Sequence, residues 1–136
     1  MQNVSKLEVA EEQLDWAIRL LLDHNAPAPA ITLAGAAEEL FGRPLKAEAA
    51  FRIVMETVPK KLHMDPKTYS QKHLNYTRNW LKHWGDKEDG HADIDLYAEA
   101  VTLILRALAN YIPNTKALSN EALRFTKWLP KYFQSA

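Results

Sequence analysis

No cysteine occurs in the 136 residues. A disulfide framework, a thiol nucleophile and a zinc–thiolate site are thereby excluded, and the chain fits a reducing cytoplasm. Long hydrophobic runs are missing as well. The greasiest stretch, around Ala17–Leu22, falls far short of the roughly 20 apolar residues a membrane-spanning helix requires. The opening residues, MQNVSKLEVAEEQLDW, are acidic and hold no apolar signal-peptide core. The expectation is a soluble, cytoplasmic protein with no membrane partner. Glycine is scarce, at four residues, and neither a glycine-rich phosphate loop nor a serine nucleophile elbow is present. Alternating strand patterns are absent too. The net charge is zero, which makes for a poor non-specific nucleic-acid binder.

What is present is helical periodicity along nearly the whole chain. An apolar share of 47% and a charged share of 25% are those of an ordinary globular protein, and the length suits one domain spanning residues 1–136. Leu7, Leu14, Ile18 and Leu21 form the stripe of a first helix, about residues 5–24. After the loop NAPAP, with Pro29 at a first helical position, ITLAGAAEELF reads as a second helix stopped by Gly42-Arg43-Pro44. A third is expected over 45–58, ended by Pro59, and a fourth from Asp65-Pro66 to Trp84, ended by Gly85. Asp93 is the expected cap of a strongly apolar helix, DLYAEAVTLILRALANYI, stopping before Pro113. Ser119 caps the last helix, which Pro130 is expected to kink or shorten. The predicted fold is all-α, a compact bundle of five to six helices.

Charge is segregated beneath the neutral total. Residues 1–41 carry a net of −5, residues 60–84 a net of +5 and residues 85–112 a net of −4. The basic block coincides with the fourth helix. With Arg78 at zero on a helical wheel, Gln71, Lys82, Asn75, Thr68, Asn79, Lys72 and His83 fall between roughly 20° and 140°. The aromatic and aliphatic side chains, Tyr76, Trp80, Trp84 and Leu81 among them, fill the opposite arc. This predicts an open polar face flanked by Arg78 and His83, over a buried aromatic one. An imidazole beside an apolar edge suits proton transfer near neutral pH, and a guanidinium fork suits a phosphate. Spacing alone does not single out this pair. RLLLDH, Arg19 to His24, repeats it, but with three leucines inside that belong to a core-facing helix end.

Arginine, a polar residue and histidine within RNWLKH, residues 78–83, on a late helix of a small all-α chain, resemble the motif of the HEPN family. The AGAAEEL segment of the second helix is similar to the corresponding helix of those proteins. HEPN domains are nucleotide-binding or ribonuclease helical domains. The resemblance implies a HEPN-like, metal-independent endoribonuclease without cofactor, which cleaves RNA by attack of the 2′-hydroxyl. Arg78, Asn79 and His83 would carry catalysis, and Lys72, Asn75 and Lys82 would bind substrate. It implies a homodimer with the motif helices at its interface, and a toxin or defence component with a possible antitoxin partner. The alternative is a non-catalytic module of the same fold that binds a nucleotide or a partner protein.

Other candidates have simpler readings. Glu38 and Glu39 point about 100° apart as helical neighbours, so solvated or capping roles suffice, with room for one to face the motif helix and steady Arg78. His83, His91, Asp93 and Asp95 lack a recognised metal-ligand spacing. His24 and His63 sit near helix ends, where the dipole favours a cation, and His73 falls on the aromatic side. The tryptophans and tyrosines of the fourth helix read as core rather than as stacking platforms.

Overall fold

The structure is a computed structural model that describes residues 1–44, 75–85 and 90–135. Among these residues the protein is all-α, a packed bundle of five helices and one short 3-10 turn. The expected helix at 45–58, the first part of the expected fourth helix, and Lys72, His63 and His73 lie outside the described residues.

Helix α1 spans Lys6–His24. The Ser5 hydroxyl accepts from the Leu7 amide at 3.2 Å, satisfying one of the unpaired donors of the first turn. The helix ends on Asn25, whose φ of 48° is the left-handed conformation that asparagine tolerates better than most residues. The Ala26 amide then bonds back to the Leu20 carbonyl at 2.8 Å.

Helix α2 spans Pro27–Gly42 and begins earlier than expected. Pro27, not Pro29, takes the first helical position, where its missing N–H leaves no helical bond unmade. Ala30, Ile31, Ala34, Gly35, Ala37 and Phe41 are buried along it. α2 lies at the centre, packed against α1 and against α4, which spans Leu96–Tyr111. Its run of small side chains allows that close double approach.

Helix α4 is capped by Asp95 rather than Asp93: the Asp95 Oδ1 accepts from the Ala98 amide at 3.0 Å. A 3-10 turn, Ile112–Asn114, carries the chain past Pro113. There Asn114 donates to the carbonyls of Phe41 at 2.9 Å and Asn110 at 2.7 Å, tying the ends of α2 and α4 together. Phe41 and Tyr111 meet edge to face at 4.7 Å in the same corner.

Helix α5 spans Asn120–Ser135. The Ser119 hydroxyl caps it, accepting from the Ala122 amide at 3.1 Å while donating to Asp15 of α1 at 2.6 Å. Pro130 does not stop α5, which runs on to Ser135. The carbonyl that a proline leaves without a donor belongs to Thr126, on the exposed side, where water can serve it. Arg124 forks onto Asp23 at 2.7 and 2.9 Å, a second tie between α1 and α5. No described helix is long and apolar enough to cross a membrane.

Candidate functional site

The motif residues lie on α3, Tyr76–Lys82, which packs against α2. The helix ends before His83, whose φ of −128° and ψ of 143° are extended. The wheel that put His83 on one face with Arg78 assumed helix through Trp84, and the chain leaves it two residues sooner. The His83 amide still closes the last turn, donating to the Asn79 carbonyl at 3.0 Å. Asn79 is therefore tied to His83 through backbone.

The orientation of α3 also differs from the expected one. Thr77 is buried and Leu81 partly so, whereas Tyr76 and Trp84 are among the exposed large side chains. Arg78, expected on an open polar face, has only 15% of its side chain exposed. Its stem lies over Gly35 of α2: a Cβ on that residue would stand 2.6 Å from Arg78 Cδ. The glycine is thus a slot for the arginine, a more specific role than general closeness of helices. Asn79, Lys82 and His83 are exposed, and Asn75, just before the helix, is half-buried.

At the tip of Arg78 stand both carboxylates of the AGAAEEL segment. Nη1 lies 3.1 Å from Glu39 Oε1 and 4.0 Å from Glu38 Oε2. Glu38 is buried and receives two bonds from Arg106 of α4, from Nε at 3.0 Å and Nη2 at 2.6 Å. Asn110, one turn on from Arg106, donates to the Glu38 backbone carbonyl at 3.2 Å. Two guanidinium cations thus meet two carboxylates here, with Glu38 and Arg106 buried and Glu39 at the exposed edge. Burial pushes the Glu38 carboxyl above its ordinary range, and Arg106 foremost, then Arg78, pull against that shift. Among the described residues, Glu38 Oε2 and Arg78 Nε are buried without a hydrogen bond.

The two ends of RNWLKH face different surroundings within the chain. Arg78 turns into α2, while His83 borders an open pocket of about 300 Å³ with Trp80, Leu81, Lys82, Trp84 and Gly90. Of the paired glutamates, both rather than one reach toward the motif arginine. Arg106 and Asn110 were not anticipated as site residues. Their signal was an arginine and an asparagine inside the otherwise apolar TLILRALANY, since a buried cation there requires a carboxylate partner. In the second arginine–histidine pair, Arg19 lies over the Trp16 ring and 3.6 Å from Glu121, with His24 exposed at the helix end. Among the described residues no three histidine, aspartate or glutamate side chains group as metal ligands. Compared with protein families, curated proteins and solved structures, the chain has no match.

Proposed function

We propose that this protein is a HEPN-like endoribonuclease that works as a symmetric homodimer and cleaves RNA through the ribose 2′-hydroxyl. The observation that carries the reading is the pairing of a preorganised arginine with an accessible histidine five residues later. Arg78 is held by the Gly35 slot and two carboxylates, so the position of its guanidinium is set before RNA arrives. His83 is exposed at a pocket. As base it takes the 2′-hydroxyl proton; the 2′-oxygen forms a bond to phosphorus while the bond to the 5′-oxygen breaks. That leaving oxygen takes up a proton, from an imidazolium in the same site or from water. Arg78 offsets negative charge on the phosphoryl oxygens, with Glu39 as the exposed carboxylate a phosphate would displace. Asn79 positions the histidine or the substrate, and Lys72, Asn75 and Lys82 hold the RNA backbone. One copy separates Arg78 from His83, and a two-fold axis beside α3 would bring each near the other's counterpart. The same reading places the chain in the cytoplasm, as the toxin or defence member of a pair held in check by an antitoxin-like partner.

Single-stranded RNA incubated with purified protein tests this. The expected products are a cyclic phosphate and a free 5′-hydroxyl, with DNA untouched, because the nucleophile is internal to the RNA, and EDTA is expected to have no effect, because the proposed step uses side chains alone. His83→Ala is the clean variant, since the side chain is exposed; it is expected to lower the rate about a hundredfold or more. Arg78→Lys, checked for folding by a thermal melt, is expected to lose the fork and most of the rate. Activity that vanishes with EDTA or survives both variants overturns the mechanism. The carboxylates already engaging Arg78 weigh against catalysis and favour a second reading, a non-catalytic module that binds a nucleotide or a partner protein. Protein that is inert on RNA yet binds nucleotide would establish it.

A further inference from the structure

Trp84 is a large aromatic side chain set at the surface over a glycine. It is 76% exposed, although an indole carries one of the largest apolar surfaces of any side chain. Its six-membered ring lies against Gly90, where an added Cβ would come within 2.6 Å of Cη2 and 2.9 Å of Cζ2. Gly90 also has a φ of 83°, a conformation that side-chain-bearing residues rarely adopt. One glycine therefore serves both the turn and the ring laid over it. The pocket beside this ring measures about 300 Å³, at the lower end of the range for small-molecule sites. Among the described residues its walls are Trp80, Leu81 and Trp84, and Lys82 and His83 are the polar side chains beside them.

From this geometry we infer that the pocket is a nucleobase site: a base stacks on Trp84, and the attached phosphate meets Lys82. A flat indole face favours a planar π system over an aliphatic chain. The inference deepens the proposed function, since a base seated here sets its ribose beside His83. It survives the loss of that reading, because stacking requires no catalysis.

The full-length protein has four tryptophans, so its indole N–H resonances can be followed one by one in an NMR titration. AMP is expected to shift the Trp84 resonance, and ribose 5-phosphate, which has the phosphate without the base, is expected not to. Trp84→Ala should weaken AMP binding about tenfold or more, from the usual worth of one base–aromatic stack. Trp84→Phe should retain most of the affinity. Gly90→Ala, whose Cβ intrudes on the ring, should lose it. Equal binding of ribose 5-phosphate and AMP, no effect of Trp84→Ala, or no nucleotide binding at all overturns the inference. A short oligouridylate that binds more tightly than AMP identifies the strand as the source of the base, and equal binding identifies the free nucleotide; both uphold the site. RNA left intact while AMP binds through Trp84 removes the nuclease reading alone. RNA cleaved with an unchanged KM in Trp84→Ala removes the pocket alone.

Discussion

Glu38 sits between two arginines, and its energetics follow from what is buried rather than from how many charges touch. Burial pushes its carboxyl upward even with Arg106 at 2.6 Å. Burial of the carboxylate works against the attraction it gains, as for other ion pairs inside proteins. Breaking the pair is a different matter. Glu38→Gln removes the carboxylate that takes two bonds from the buried Arg106 guanidinium. The expected destabilisation is about 3–5 kcal/mol, read from a denaturant melt. Replacing both partners by apolar groups, Glu38→Leu with Arg106→Met, is expected to recover nearly all of it. A double variant as unstable as the single one would disprove this account. Gly35 allows a similarly local test. Alanine at an interior helix position ordinarily gains about 1 kcal/mol over glycine. Here its Cβ meets the stem of Arg78 at 2.6 Å, so Gly35→Ala should destabilise the native protein. In an Arg78→Ala background the same change has room and should stabilise by about 1 kcal/mol. A gain in both backgrounds would show that the slot has no steric role.

Helix ends in this bundle double as ties between helices. Ser119 is the clearest case, capping α5 while donating to Asp15 on α1. Burial raises the Asp15 carboxyl above its ordinary range, and the Ser119 hydroxyl is the strongest influence lowering it. Ser119→Ala is expected to cost about 1–2 kcal/mol, the ordinary worth of a lost N-cap. Aspartate is as good a cap as serine in an isolated helix, so Ser119→Asp should be harmless if capping were the whole role. In this structure it would set a second carboxylate against Asp15, near Glu121. The expected result is a loss comparable to that of the alanine variant, relieved at acid pH as the pair takes up a proton. Thermal melts at neutral and acid pH check both parts. Full stability of Ser119→Asp at neutral pH would show that the Asp15 contact contributes nothing.

The whole molecule raises the question of assembly. Within one copy, Arg78 is turned into α2 while His83 faces the pocket with Trp84. Under the proposed function a second copy completes the site, so the protein should sediment as a dimer at micromolar concentration. Mixing inactive His83→Ala with inactive Arg78→Lys should then restore part of the activity, because one mixed dimer site can hold an intact copy of each group. A strict monomer that still cleaves RNA would show that one copy suffices and that the axis beside α3 is not needed.

Helix class was legible from composition and period, since burying one stripe of a helix leaves a 3.6-residue signature whatever the partners are. Leu14, Ile18 and Leu21 are buried as their spacing predicts, and Ser119 caps where a hydroxyl precedes an apolar run. Caps and breakers were less legible in detail. Asp93 and Asp95, or Pro27 and Pro29, offer the same local chemistry, and packing chose between them. The site was legible as residue types and not as geometry. A wheel assumes that the helix continues and that polar residues face water. His83 breaks the first assumption, and Arg78 the second. A charged side chain can turn inward only if its counter-charge waits there, and the carboxylates of Glu38 and Glu39 come from a helix some 40 residues earlier in the chain. Local sequence thus specified which segments coil and which stripes they bury. Long-range neutralisation, which no periodicity records, decided where Arg78, Glu38 and Arg106 point.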